Sequence, residues 1–305
     1  MADEKIIDFM GWRKPVGGFS IVLMVVAVLA IALRGFNLGL DFSGGSLIEL
    51  HFSQPADPQQ VRDTLHGAGL DAVVQHFGSQ NELLVRLHRE FKAGLGEEVV
   101  QLLDPQRSGS VTLTRAEFVG SQVGDELLQK GLLAVFVALI AVLLYVAWRF
   151  PWKFAVGAVL ALFHDVVVTL GAFALFQWEF DLTVLAAVLA VIGYSLNDSI
   201  VVGDRIRECF RKIRKESSYR VINISITQTL DRTIFTSLTV ILAVLALFFL
   251  GGDAIHGFSK ALLIGVGFGT YSSVYVASSL LLLLRISRED FLVQVKEAAK
   301  DDGRP

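Results

Sequence analysis

Three ionisable side chains, Asp165, Asp198 and Arg232, stand inside long apolar stretches of the chain. A carboxylate or guanidinium at the centre of a bilayer costs about 2.5–3.5 kcal/mol on insertion scales, so each needs a reason. Asp198 lies in "YSLNDSIVVGDRIREC", residues 194–209, about two helical turns before Arg205. At ~1.5 Å per helical residue that is ~10 Å in from the basic boundary. Arg232 reaches a similar depth if its helix enters the apolar layer near residue 227. A low dielectric favours the neutral form of a carboxylate, and a nearby guanidinium favours the charged form. Moving Arg232 toward or away from Asp198 would make the acid release or take a proton. One charge crossing a membrane potential gains ~2.3 kcal/mol per 100 mV, enough to drive a conformational cycle. Asp165, deeper and beside His164, is a weaker relay candidate, with a helix-packing role as the alternative and His164 read as structural.

The phase of the surrounding residues bears on this. Ser225, Thr229, Arg232, Thr236 and Thr239 recur at steps of four and three, which makes one helical face. The opposite face, with Ile234, Leu238, Ile241 and Leu245, is apolar. Arg232 is therefore expected in a polar seam with Thr229 and Thr236, facing Asp198, Ser195 and Asn197. The competing reading is a purely structural Asp198–Arg232 pair that docks two helices. Against it, burying a pair often costs more than it returns, and small residues dock helices more simply. Asp204 reads as an interfacial charge and Asp231 as a local partner on the rim.

These residues sit in a chain of 305 residues that is 53% hydrophobic and only 19% charged, with mean hydropathy +0.57. A soluble domain is less apolar. The net charge of -3 gives no sign of a nucleic-acid partner, and a single cysteine, Cys209, excludes an intrachain disulfide and any multi-thiolate metal site. No cofactor is indicated. Six stretches are long and apolar enough to span a membrane: 17–34, 131–148, 154–176, 182–203, 227–250 and 258–284. The first lacks a cleavage site and reads as an uncleaved anchor. Lysine and arginine fall at 5, 13 and 14, at 149 and 153, seven times between Arg205 and Arg220, and from Arg285 onward. The short loops 177–181 and 251–257 have none. By the positive-inside rule both termini are cytoplasmic.

The expected organisation is a cytoplasmic N-terminus and first helix (1–35), an external domain (36–130), helices two to six (131–284) and a cytoplasmic tail (285–305). In the external domain "SLIELHF" (46–52), "AVVQHF" (72–77), "ELLVRL" (82–87) and "SVTLTRAEFVG" (110–120) read as strands. "DPQQVRDTLHGAGL" (57–70), with an Asp cap and Pro at the first position, and "GEEVVQLLD" (96–104) read as helices. The order βαββαβ predicts a ferredoxin-like α+β domain. Its four histidines, His51, His66, His76 and His88, lack metal-ligand spacing.

Other signals concern packing. Ala261, Gly265, Gly269, Ser273 and Ala277 form a small-residue ridge every four residues, suited to close helix contact. The basic segment 205–220 fits membrane topology and anionic headgroups. In "LGLDFSGGSLIEL" (38–50), Gly44 and Gly45 suit a tight turn or hinge between membrane and domain, with Asp41 as its cap.

Four motifs in order, "GLDFSGG", "VGDELLQKG", "SLNDSIVVGDRIRE" and "TLDRTIFTSLTV", resemble the SecF family, the smaller membrane subunits of SecD–SecF complexes. The resemblance runs over nearly the whole chain. It implies an RND-like, proton-driven membrane protein of the bacterial inner membrane, with the external domain in the periplasm. It also implies SecD and the SecYEG channel as partners, exported polypeptides as cargo, and lipid contact. The family's transmembrane Asp and fifth-span Arg match Asp198 and Arg232. One position departs: the family's V-V-F-D-R reads V-V-G-D-R here, and Gly203 is expected to loosen that end of the fourth span, since glycine costs ~1 kcal/mol in a helix interior.

Two other classes fit the residues less well. Half of a proton-coupled small-molecule exporter of the RND type would use the same acid, but residues 36–130 are few for a drug-binding domain and carry only scattered phenylalanines. An intramembrane hydrolase lacks GxSxG, HExxH or a Ser–His pairing.

Overall fold

The structure, a computed structural model, describes residues 6–87, 94–106 and 108–291; His88 and the tail beyond 291 lie outside them. The first span, α1 (Arg13–Arg34), follows a short 3-10 turn. A brief strand β1 (Asn37–Leu38) and a single helical turn α2 (Leu40–Ser43) lead into the small domain. That domain comprises β2 (Gly45–Phe52), α3 (Pro58–Gly67), β3 (Ala72–Phe77), β4 (Ser79–Leu87), α4 (Leu95–Leu103) and β5 (Val111–Val119).

Its local rules are the ones in the sequence. The Asp57 carboxylate accepts from the Gln59 amide at 2.9 Å and Pro58 opens α3. The β3–β4 turn is tighter than expected: Gly78 at φ 76° turns the chain, and β4 already begins at Ser79. The antiparallel sheet runs β3-β4-β2-β5, the order of a split βαβ unit. Leu50, Leu65, Leu83, Val85, Leu87 and Val99 form its core.

The bundle then follows: α5 (Ser121–Arg149), α6 (Trp152–Phe176), a two-residue strand β6 (Glu179–Phe180), α7 (Leu182–Lys212), α8 (Ser218–Leu250), and a sixth span built of α9 (Asp253–Ser272), a π-helical turn (Ser273–Ala277) and α10 (Ser278–Leu283). Among the described residues, six helices are long and apolar enough to cross a membrane. The chain is a polytopic helical membrane protein with one small α+β domain. Several helices outrun their apolar stretches: α5 starts at Ser121, α7 continues to Lys212 and α8 starts at Ser218. Hydropathy marks only the part of a helix that needs lipid, and good helix formers carry it further into water.

The small residues set the helix contacts. The ridge residues Ala261, Gly265, Gly269, Ser273 and Ala277 are all buried. A Cβ on Gly265 would sit 2.1 Å from Val191 Cγ2, and one on Gly269 3.3 Å from Ser195 Cβ. The ridge is internal and seats the sixth span on α7. Gly171 does the same for α1, since a Cβ there would lie 2.2 Å from Ala27 Cβ.

Gly203 does not loosen its helix. The Phe154 ring from α6 fills the space, with its Cζ 2.0 Å from where a Cβ on Gly203 would be, and Phe154 is buried. The bulk missing from α7 is supplied by its neighbour, so the contact between α6 and α7 is filled at this position.

Candidate functional site inside the helical bundle

Asp165 on α6 and Asp198 on α7 are both buried, at 0% and 3% exposure. The sixth span stands against both. Its consecutive residues Ser272 and Ser273 point about 100° apart on a helix, so each reaches a different neighbour. The Ser272 hydroxyl donates to Asp165 Oδ2 at 2.6 Å. The Ser273 hydroxyl lies 3.4 Å from Asp198 Oδ2. The π-helical turn begins at Ser273, a distortion frequent at functional sites.

The two acids differ in how they are held. Asp165 Oδ2 also accepts from Ser195 Oγ at 2.6 Å, and Oδ1 lies 3.0 Å from His164 Nδ1. The His164 ring packs beside Phe268 and Tyr271, and its Nε2 has no partner. Among the described residues Asp198 accepts one hydrogen bond, the long one from Ser273. The buried Thr233 hydroxyl faces it without closing a hydrogen bond.

Arg232 is close enough for its charge to act on Asp198, but no ion pair within 4 Å joins them among the described residues. Arg232 is exposed on the outer surface of α8. The expected polar seam is thus corrected by a partial turn. Besides Asn223 near its start, the buried polar residues of α8 are Ser225, Thr229, Thr233 and Ser237, spaced by fours, while Arg232 and Thr239 are exposed and Thr236 is half-exposed. The Thr236 hydroxyl donates to the Arg232 carbonyl of its own helix, at 2.6 Å. A pattern of fours and threes and a pattern of fours share Ser225 and Thr229, then diverge; helix packing selects the latter. Ile234 and Leu238 are exposed, as expected of a lipid face. Asn197 is exposed too, and Ser195, read as a neighbour of Asp198, serves Asp165 instead.

Residues the spacing did not single out complete the site. Tyr194 donates to Ser237 at 2.9 Å, and Ser237 meets Thr270 Oγ1 at 2.6 Å, linking α7, α8 and the sixth span. Polar residues at steps of four, read without Arg232 as the anchor, point to Thr233 and Ser237. Cys209 is buried, its Sγ 3.6 Å from Gln228 Oε1. Asp204 meets Arg149 at 3.1 Å, and Asp231 makes no ion pair among the described residues. No group of three or more His, Cys, Asp or Glu able to hold a metal occurs among the described residues.

The glycine-rich turn does something other than expected. Gly44 and Gly45 adopt φ 66° and 122°, as a tight turn requires. Asp41, however, does not cap that turn. Its Oδ2 accepts from the Leu182 amide at 3.0 Å, at the first turn of α7, where Asp181 accepts from Val184 N at 2.8 Å. An acid suits a helix N-terminus, whose amides are free. β1 pairs in parallel with β6, and buried Arg86 of the small domain makes an ion pair with Glu179. The stem of the domain is thereby fastened to the start of the helix that carries Asp198.

Residues 99–287 match the family model described as protein export membrane protein SecD/SecF, C-terminal, and residues 29–56 match the SecD/SecF GG motif. The chain belongs to the SecD/SecF family of protein-export membrane proteins. It is 49% identical to the protein translocase subunit SecF of Vibrio alginolyticus, covering 99% of this chain and 98% of that one. It is 50% identical to that of Pseudomonas aeruginosa, covering 98% of each. Among solved structures it resembles SecDF, a translocon-associated membrane protein from Thermus thermophilus, with TM-score 0.84 and 36% identity over 92% of this chain. It resembles SecDF in a super-membrane-facing form with TM-score 0.70. The chain spans 39% of the length of each solved SecDF chain.

Proposed function

We propose that this chain is the SecF subunit of a proton-driven export complex, in which Asp198 carries the proton. One observation supports this most: Asp198 is a buried carboxylate with a single long hydrogen bond. Such a group keeps little of the solvation that water gave it, so its charge depends on what approaches. Arg232 is the counter-charge in this reading, exposed on the neighbouring helix and, among the described residues, not locked in a pair. Asp165, saturated by His164, Ser195 and Ser272, positions the sixth span beside it.

The exposed face of α8 around Arg232, Phe235 and Thr239 is read as the surface that meets a SecD subunit, a guanidinium being too costly to leave in lipid. The SecYEG channel and exported polypeptides are the further partners. The lysine and arginine distribution supports cytoplasmic termini and a periplasmic α+β domain in the bacterial inner membrane.

The test is export of a secretory protein into membrane vesicles, with and without a proton-motive force. Asp198→Asn is expected to assemble normally and lose the potential-dependent fraction. Arg232→Ala loses it too, and Arg232→Lys keeps part. Undiminished potential-dependent export by Asp198→Asn would overturn the reading.

A further inference from the structure

A groove of about 710 Å³ opens between the first and sixth spans, lined by Val16, Gly17 and Ile21 on one side and Val276, Leu280 and Leu283 on the other. Tyr271 closes one end: its hydroxyl bonds the Val16 carbonyl at 2.9 Å and Ser20 Oγ at 2.8 Å. Gly17 makes the hollow, since a Cβ there would meet nothing within 4 Å. Arg13 and Arg285 stand along the same groove, at the end of the bundle where the basic residues gather.

Both cations lack a carboxylate partner within 4 Å among the described residues. Arg13 lies over the Tyr219 ring, 5.6 Å from its centroid. The nearby Asp8 feels the charge of Arg13 without an ion pair within 4 Å, and its Oδ1 accepts from Tyr219 at 2.5 Å, Asn223 at 2.8 Å and the Gly11 amide at 3.1 Å. Among the described residues the Arg285 guanidinium has no hydrogen-bond partner; Lys153 reaches its carbonyl at 3.2 Å and pairs with Asp290 at 2.8 Å.

Arg285 also holds an unusual backbone position. It sits at φ 52°, with its amide on Leu282 O at 3.1 Å and the Ile286 amide on Leu281 O at 3.0 Å. This is a helix-ending motif whose left-handed residue is usually glycine. An arginine held there, against steric preference, sets its side chain beside the groove.

We infer that the groove binds an anionic phospholipid, its phosphate between Arg13 and Arg285 and an acyl chain along Gly17, Val276 and Leu280. Two guanidinia with no ion-pair partner within 4 Å among the described residues, at the polar end of an apolar channel, match that chemistry, and basic pockets between membrane helices take anionic headgroups. The inference rests on the membrane-spanning fold and not on the proton reading.

The full-length protein, stripped of lipid in detergent, is titrated with phosphatidylglycerol, phosphatidylcholine or inorganic phosphate and read by native mass spectrometry. Phosphatidylglycerol is expected to bind more tightly than phosphatidylcholine. Arg13→Gln with Arg285→Gln together weaken it about 25-fold, from about five-fold per charge. Arg285→Gly weakens it about five-fold at an unchanged or higher melting temperature, which separates binding from folding. Gly17→Leu, which meets no obstacle, weakens both lipids. Lys212→Gln with Lys215→Gln leaves binding as it was. Three results would overturn the inference: an unchanged affinity in the double arginine variant, inorganic phosphate displacing the lipid as well as phosphatidylglycerol does, or loss of bound lipid whenever a second subunit co-purifies.

Discussion

Asp165 and Asp198 are the same residue type, buried to the same degree on neighbouring spans and served by adjacent serines, yet their surroundings are opposite. Asp165 has three partners at 2.6–3.0 Å; Asp198 has one at 3.4 Å. A saturated buried acid is a fastening, because every partner loses if it leaves. An under-coordinated one is held loosely and responds to whatever charge or water arrives. Burial alone does not tell these apart, and the hydrogen-bond inventory does.

The largest effect separating the two is functional. Asp198→Asn is expected to remove the potential-dependent part of export while leaving the melting temperature within a degree or two of the parent, because little bonding is lost. Asp165→Ala reverses this: it removes the partner of Ser195 Oγ and His164 Nδ1, leaves Ser272 only the Gly269 carbonyl, and is expected to cost about 3 kcal/mol, seen as a lower melting temperature in detergent. Equal thermal losses from both variants would break the comparison. Next in size, Gly203→Phe drives a ring into Phe154 and costs about 1–3 kcal/mol. Combining it with Phe154→Ala is expected to recover part of the loss, so a double-mutant cycle should show favourable coupling; additivity would mean the two positions do not share one space. The smallest is Asp41→Ala, which removes one cap from α7 for about 1 kcal/mol without touching either acid. Hydrogen exchange at Leu182 reads it: the amide should exchange faster while those near Asp198 do not.

Much of the architecture was legible in the residues. Six apolar stretches, an Asp-Pro helix start and period-two strands fix elements locally, and the order of strands and helices in residues 45–119 leaves few sheet topologies. The ridge from Ala261 to Ala277 was legible as a contact surface, but its partner helix was not, because small residues specify closeness and not identity. The site was half legible. The cost of burying charge singled out Asp165 and Asp198. Helical phase misplaced Arg232, because residues at steps of three and four lie within a partial turn of each other, and only the packing of α7 and the sixth span decides which edge turns inward. The Gly203–Phe154 exchange and the reach of Asp41 to Leu182 join residues distant in sequence, and nothing local announces either.

That last contact has a mechanical consequence. α7 is an unbroken rod of 31 residues, roughly 46 Å long at ~1.5 Å per residue, gripped at its tip by Asp41, by the β1–β6 ladder and by Arg86 through Glu179. Asp198 rides on the same rod about 24 Å below the grip. Any rocking of the small domain tilts the shaft, and the tilt is felt first where the shaft is least bonded.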